Sequence, residues 1–307
     1  MTRGRIGAAL VGLLLSAGLA APAGADAGQA VAGTATAVGM RFTYTVPSFL
    51  VAEDLMDGGG PVANARVDST GVAASFASLP YPGELGVAGP ALLGTVLNRQ
   101  VPFSYPFYAH ADHPSQPKEE LSDPSGVYRL RSVADAGTAS ATAAFAAPDG
   151  SPLGGGSTAT TSGTMAPDGT VTMMADSVNT LLSFGKGVLR IAYVESLSTT
   201  TLRPGEAAPV TTAKLIIEGA RVGDQSVTIG PDGVHPASGQ TVPVPVAEGS
   251  RSLNDALKAA GISVHTVSTD QGEVLEVAST HPLPFPGSPQ GTAVWRFGGA
   301  RTAVTVG

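Results

Sequence analysis

The sequence contains no cysteine. Its fold therefore holds no disulfide, and no thiolate is available as a metal ligand or a nucleophile. A lipid anchor on an N-terminal cysteine is excluded for the same reason. The stability of the folded chain must come from packing and hydrogen bonds alone.

Basic residues are also scarce. The chain has 17 Lys and Arg against 24 Asp and Glu, a formal net charge of −7. Nucleic acids and anionic membrane surfaces are bound mainly by clusters of Lys and Arg, which neutralise phosphates. We therefore expect neither nucleic acid nor an anionic membrane surface as a partner.

Long apolar runs are confined to the N-terminus. Arg3 and Arg5 precede an apolar stretch at 6–19, and small residues follow as Ala-Gly-Ala at 23–25 and Ala-Asp-Ala at 25–27. This order is typical of a signal peptide, and the apolar stretch is too short to cross a membrane comfortably. We expect residues 1–27 to be removed near Ala25 or Ala27, which leaves an extracellular protein, 28–307, without a membrane span.

The route of export follows from the same residues. Gly4 separates Arg3 from Arg5, so the twin-arginine signal for export of folded, cofactor-loaded proteins is absent. The sequence therefore favours the general secretory (Sec) pathway, and we expect no cofactor.

Apolar residues recur mostly at every second position, which indicates strands with one buried face. Residues 36–46 alternate in this way, residues 62–67 and 72–77 predict a hairpin, and candidate strands follow at 170–179, 187–201 and 210–222. Pro-Asp-Gly at 148–150, 167–169 and 231–233 predicts turns between adjacent strands. The predicted fold is mainly β, with long antiparallel meander or sandwich-like sheets and one or two short helices.

Helical signals are weak. A short helix is predicted at 252–260, with Ser252 as its cap, Leu253 and Leu257 on one apolar face and Gly261 as its end. A weaker helix is predicted at 90–100. The proline-rich stretch 80–124 predicts a long ordered loop or cap. The glycine-rich stretch 148–156 fits a flexible joint between two β subdomains or a hairpin loop in one domain, and the sequence leaves both open.

The closest spacing of metal-binding residue types is His110, Asp112 and His113. Two imidazoles and a carboxylate would hold a divalent ion if a distant ligand joined them. Because prolines flank the segment, no helix is available to point the ligands to one side. An exposed polar loop is the preferred interpretation, with a metal site as the alternative.

Aromatic residues concentrate in the same proline-rich stretch: Tyr81, Phe103, Tyr105, Phe107 and Tyr108. Their rings would bind a glycan, a peptide or an apolar ligand if they face outward. The alternative, which we prefer, is that they cover the open end of a sheet. If the protein binds a ligand, this segment is the first candidate.

No catalytic motif is complete, and we assign no catalytic residue. Ser183 and Lys186 have the Ser-x-x-Lys spacing, but the flanking glycines disfavour the helix that this chemistry needs. Three functions remain open: a noncatalytic secreted protein bound to a ligand or to the cell envelope, a carrier of an apolar molecule such as a lipid, and an extracellular hydrolase that uses His110, Asp112 or His113. We favour the first. A carrier would use the apolar residues of 171–194 and 213–229.

Several short stretches of the chain form a recognisable set: GVLRI at 187–191, 194–196, 222–223, 227–229, PDGVH at 231–235, LNDAL at 253–257 and 260–264, with GGPVA at 59–63 and FASLPYPG at 76–83. This set resembles a group of secreted, β-rich actinobacterial proteins of unknown function. The resemblance implies a shared β fold and an exported location. It assigns no site residue.

Ala25 belongs to both small-residue sites, so it tests the leader directly. We expect the protein secreted by its native host to begin at Asp26 or Gly28 when its N-terminus is sequenced. Ala25→Leu should leave the precursor uncleaved, because signal peptidase requires small residues there. Gly24→Leu is the matched control, and an uncleaved wild-type chain would contradict the prediction.

Overall fold

The computed structural model describes residues 30–47, 54–79, 107–146, 155–237, 246–282 and 290–307. Strands make up 71% of the described residues and pair into two large antiparallel sheets, which confirms the predicted mainly β fold. The predicted leader, the predicted helix at 90–100 and the turn at 148–150 lie outside the described residues.

The described chain contains eighteen strands and one helix. The first nine strands are β1 (Val31–Thr45), β2 (Asp54–Gly59), β3 (Val62–Asp68), β4 (Ala73–Ser78), β5 (Tyr108–His113), β6 (Lys118–Ser122), β7 (Tyr128–Asp135), β8 (Thr138–Ala146) and β9 (Gly156–Met165). The remaining elements are β10 (Val171–Phe184), β11 (Leu189–Leu202), β12 (Val210–Glu218), β13 (Arg221–Val222), β14 (Gln225–Gly230), β15 (Gly233–Pro236), α1 (Val246–Ala259), β16 (Ile262–Thr269), β17 (Gly272–Pro282) and β18 (Gln290–Val306).

The first sheet has the order β16-β17-β18-β1-β3-β4-β5, and β2 also pairs with β1. The second sheet has the order β15-β14-β13-β11-β10-β9-β8-β7-β6, and β12 also pairs with β11. The two sheets pack face to face as a sandwich. The long strands β1 and β18, at the centre of the first sheet, lie over β9, β10 and β11 of the second.

Alanine fills much of the space between the sheets. Along β8 the inward side chains are Ala139, Ala141 and Ala143, whereas the outward Thr138 and Ser140 are exposed. The same alternation puts buried alanines on β1, β3, β4 and β5. Because these side chains are short, the facing backbones approach each other closely. We call this region the alanine core.

Hydrogen bonds cross directly from one sheet to the other. The hydroxyl of Ser132 on β7 donates to the Ala109 carbonyl on β5 at 2.8 Å, and that of Ser75 on β4 donates to the Val133 carbonyl on β7 at 3.1 Å. Further along, Thr302 on β18 is within 2.8 Å of the Ser198 hydroxyl on β11. Such bonds satisfy buried polar groups and fix the position of one sheet on the other.

In both sheets the alternation of buried and outward side chains shifts by one residue, at the same height along the strands. On β10 the buried positions are odd-numbered as far as Asn179 and even-numbered from Leu182, and Leu181 between them has a φ of 54°. On β18 the change occurs around Gly298, whose φ is 80°. Gly39 of β1 lies beside Gly298, between the pairs Val38–Gly299 and Met40–Phe297, and its carbonyl accepts the Asn179 amide of β10 at 2.8 Å.

Beyond this level the core contains larger side chains. Its buried members include Leu182, Phe184, Leu189, Ile191, Val194, Val222, Val227, Val234, Leu253, Leu257, Ile262, Val264, Leu275, Val277 and Phe297. Phe184 meets Phe297 edge to face, with ring centroids 5.8 Å apart. We call this region the large-residue core, and α1 packs on it through Leu253 and Leu257.

The helix prediction is right in its buried face and wrong in its start. α1 begins at Val246, six residues before Ser252, so Ser252 is an exposed position inside the helix and not its cap. Its end agrees with the prediction: Gly261 has a φ of 72° and its N–H donates to the Lys258 carbonyl at 2.9 Å.

The predicted hairpin and two of the predicted turns are confirmed. β3 pairs with β4, and Asp68 in the turn between them accepts the Thr70 N–H at 2.9 Å. The turn at 167–169 joins β9 to β10, and the turn at 231–233 joins β14 to β15. Across the stretch 148–156, β8 pairs directly with β9, in the register Ala146 to Gly156.

The prediction of one long loop over 80–124 is wrong for its C-terminal part, which contains β5 and β6. Ala109 and Ala111 are fully buried, and this burial makes the segment a strand despite the prolines around it. Residues 80–106 are not among those described. Within the described residues, no helix is long and apolar enough to cross a membrane.

Gly33 tests how tightly the alanine core is packed. A Cβ at Gly33 would lie 2.5 Å from Sδ of the buried Met173 on the opposite sheet. We expect Gly33→Ala to lower the free energy of unfolding by about 1–3 kcal/mol, as overpacking does. Urea unfolding measures this change.

The matched control is Gly59→Ala, whose Cβ would meet its nearest atom, the Met40 carbonyl oxygen, at an ordinary 3.7 Å. The cost of Gly33→Ala should also fall in a Met173→Ala background, since the two changes compete for the same space. Equal costs in both backgrounds would contradict the packing described.

Candidate functional site

The three residues proposed as metal ligands lie on strand β5, and alternation divides them. His110 and Asp112 lie on the outer face of the first sheet, where Nε2 of His110 is 3.8 Å from Oδ1 of Asp112. His113 has the parity of the buried Ala109 and Ala111 and belongs to the inner face. Among the described residues, no group of three His, Asp or Glu side chains is placed to hold a metal ion.

The aromatic residues are divided in the same way. Tyr81, Phe103 and Tyr105 lie outside the described residues. Phe107 packs against the alanine core, with its ring 5.5 Å from that of Tyr128. Tyr108 lies on the outer face, is 46% exposed and stacks on Phe76 of β4 with ring centroids 5.8 Å apart.

Four residues on the outer face of β4 and β5 form one surface, which we call the aromatic patch: Phe76, Tyr108, His110 and Asp112. Phe76 is directly opposite His110 on the neighbouring strand, and on its other side it is opposite Asn64 of β3. Sequence reasoning missed Phe76, because only the pairing of β4 with β5 brings it beside Tyr108. The patch combines an exposed ring with an imidazole and a carboxylate.

Side chains from β6 and the turn before it hold the patch in place. The His110 N–H donates to Oε2 of Glu119 at 2.8 Å, and the Gln116 amide donates to the His110 carbonyl at 3.1 Å. These bonds satisfy the free edge of β5 much as another strand would. His110 and Asp112 therefore sit on a fixed backbone.

A second cluster lies on the outer face of the second sheet and contains Asp176, Tyr193, Glu195, Lys214 and Glu218. Burial raises the pKa of Asp176, the nearby Glu195 raises it further, and Lys214 acts in the opposite direction. Burial also raises the pKa of Tyr193, and the nearby Glu195 raises it further. Sequence alternation puts these residues on one face, but only the register of β10, β11 and β12 brings them together.

A serine, a histidine and an aspartate come together where α1 meets the β14–β15 turn. Nδ1 of His235 is 3.2 Å from the Ser250 hydroxyl, and Nε2 is 2.9 Å from Oδ1 of Asp232. The hydrogen bond from His235 lowers the pKa of Asp232. Acyl-transfer enzymes use the same order of groups, but in a site closed to water. Since Asp232 is 74% exposed, we interpret the arrangement as a contact that holds the helix to the hairpin.

Many of the apolar residues expected to line a carrier are covered by protein, whereas Leu181 is 60% exposed and Leu215 and Ile217 are only partly buried. Val171, Met173, Leu182, Ile191 and Val194 are buried between the two sheets. An apolar ligand would have to displace the opposite sheet to reach them.

No protein-family model and no curated protein matches this chain. Among solved structures, the crystal structure of Pseudomonas aeruginosa OpdO is 10% identical, over 90% of this chain and 97% of that chain, with a TM-score of 0.14. A similarity with this TM-score assigns neither fold nor function.

The raised pKa of Asp176 predicts how its removal changes stability. Below the ordinary pKa of aspartate, about 3.9, the carboxyl is protonated in both the folded and the unfolded chain and burial costs no charge. As the pH rises, the unfolded chain loses this proton first, so the folded state becomes less favoured. Asp176→Asn should therefore raise the urea midpoint at pH 7, and this gain should disappear at about pH 3.

Asp135→Asn is the control, since Asp135 is an exposed carboxylate on the outer face of the same sheet. It should leave the urea midpoint nearly unchanged at both pH values. A lower midpoint for Asp176→Asn at pH 7 would contradict the prediction and show that the attraction to Lys214 outweighs the burial.

Proposed function

We propose that this chain is a secreted, noncatalytic β-sandwich protein that binds a glycan of the cell envelope through the aromatic patch. The signal-peptide pattern at 1–27 supports export. The observation that carries the binding proposal is the ring of Tyr108, which is 46% exposed although Phe76 stacks on it from the neighbouring strand.

The chemistry of the patch suits a sugar better than a purely apolar ligand. A sugar ring has an apolar C–H face that packs on an aromatic ring and hydroxyls that need hydrogen-bond partners. Asp112 accepts such bonds, and His110 either donates or accepts them. Asn64 and Thr36, joined by a 2.9 Å hydrogen bond, extend the polar surface beyond Phe76.

The rigidity of the patch supports the same interpretation. Phe76 and His110 lie on paired strands, and Glu119 and Gln116 fix the backbone of His110. A preorganised surface loses little conformational entropy when it binds. The patch therefore needs no rearrangement to present its ring.

Binding to insoluble cell-wall polysaccharide tests the proposal. We expect the mature protein to be depleted from solution by cell walls of its native host, and Tyr108→Ala to weaken this binding at least about tenfold, as loss of an aromatic anchor does. Tyr193→Ala is the matched control, since it removes a tyrosine from the outer face of the other sheet. Equal binding by Tyr108→Ala and the wild-type protein would contradict the proposal.

The noncatalytic part has its own test at Ser250. A fluorophosphonate labels serines that an imidazole activates. We expect no labelling of the folded protein. Labelling that disappears in both Ser250→Ala and His235→Ala would show a hydrolase and overturn this part of the proposal, whether or not the glycan binds.

A further inference from the structure

In the described part of the chain, four arginines lie on the outer face of the first sheet, and three of them are paired with carboxylates. These pairs, with nitrogen–oxygen distances of 3.5, 3.6 and 2.7 Å, are Arg41 with Asp57, Arg66 with Asp68 and Arg296 with Glu276. The fourth, Arg301, is exposed, and no described residue forms an ion pair or a hydrogen bond with it. Its guanidinium is therefore available to a ligand.

Arg301 lies in line with the aromatic patch. Strand pairing sets five outer-face residues opposite one another in succession: Arg301 of β18, Thr36 of β1, Asn64 of β3, Phe76 of β4 and His110 of β5. We call this line the Arg301 row. Since neighbouring strands lie about 4.8 Å apart, the row spans about 19 Å from β18 to β5. A linear polysaccharide that lies across the strands would contact the row with several of its sugars.

One hydrogen bond directs the polar groups in the middle of the row. Nδ2 of Asn64 donates to Oγ1 of Thr36 at 2.9 Å. The Thr36 hydroxyl thereby accepts a bond and keeps its own proton for an oxygen of the ligand, and Oδ1 of Asn64 can accept from a sugar hydroxyl. A donor therefore lies beside Arg301, and an acceptor lies beside Phe76.

The β18 end of the row suits an anionic group. A guanidinium presents paired N–H donors that match two oxygens of a carboxylate or a phosphate, and the Thr36 hydroxyl adds another donor. The carboxylate of the patch, Asp112, lies on β5, four strands away, so it does not neutralise Arg301.

We infer that the glycan bound by the aromatic patch is acidic. Arg301 binds a carboxylate or phosphate group of the polysaccharide, while Phe76 and Tyr108 pack on a neutral sugar of the same molecule. This inference rests on the proposed function. Because the chain has a net charge of −7, a single arginine recognises the anion here, and not a basic surface. The contribution of Arg301 should therefore be that of one exposed charge, which salt screens.

Depletion of the full mature chain by cell walls of its native host tests the inference. At low salt we expect Arg301→Gln to raise the apparent dissociation constant at least about threefold, because a charge-assisted hydrogen bond is lost. The difference from the wild-type protein should become smaller in about 1 M NaCl, where the Debye length is about 3 Å. Arg251→Gln is the matched control, since Arg251 is an exposed arginine of α1, and it should bind like the wild-type protein.

Chemical treatment of the walls identifies the anion. Hydrofluoric acid removes phosphodiester-linked polymers, and carbodiimide followed by borohydride reduces the carboxyl groups of acidic sugars. On walls given the treatment that removes the anion, the wild-type protein should bind no better than Arg301→Gln. A wild-type advantage that persists on walls given both treatments would overturn the inference.

The acidic glycan and the glycan-binding patch fail in different ways, provided that circular dichroism shows each variant to be folded. If Tyr108→Ala weakens binding and Arg301→Gln does not, the patch binds a glycan but the inference that this glycan is acidic is overturned. If only Arg301→Gln weakens binding, the anion is bound outside the aromatic patch and both proposals are overturned. Both are also overturned if neither variant weakens binding.

Discussion

The close approach of the two sheets is the constraint on which the rest of this structure depends. Alanine and glycine on the facing strands bring the backbones near enough for Ser132 and Ser75 to reach carbonyls of the opposite sheet. Alanine contributes less burial than leucine, by roughly 0.8 kcal/mol for each missing CH₂. A hydrogen bond contributes roughly 1 kcal/mol, so the few cross-sheet bonds offset only a small part of what the many short side chains give up. These bonds also form in only one position of the first sheet on the second, whereas apolar packing alone specifies that position less sharply.

Alternation along the sequence was enough to predict the fold class, the hairpin of β3 and β4, and the strand at 187–201. The strand predicted at 210–222 is divided in the structure into β12 and β13, since Gly219 between them has a φ of 63°. Alternation could not predict β5, because prolines on both sides obscure a short strand that is stabilised by the burial of Ala109 and Ala111. Nor could it show that the alternation of β10 reverses at Leu181, because nothing in the residue type predicts its φ of 54°. The start of α1 was missed because Leu253 and Leu257 mark the buried face of a helix but not its first residue.

The candidate site was predictable only in part, for a related reason. The sequence shows that Tyr108, His110 and Asp112 occur close together, and their common parity puts them on one face once the segment is known to be a strand. Phe107 and His113 have the opposite parity and belong to the inner face, although the sequence had grouped them with these three residues. Phe76 and Glu119 join the site through pairing and through a hydrogen bond to the backbone of His110. Residues that become neighbours only through strand pairing have no fixed separation in the sequence, so a motif search does not find them.

A sandwich filled in this way directs function to its outside. Met173 occupies the space left by Gly33 and Gly163, so a ligand between the sheets would compete with side chains that already fill it. The side chains available to a ligand or a partner therefore lie on the outer faces and at the strand edges. The outer face of the first sheet carries a supported aromatic ring, whereas that of the second carries carboxylates near one lysine. The edge of β5 is closed by Glu119 and Gln116 and that of β15 by Asn254 of α1, whereas β12 pairs with β11 alone among the described strands.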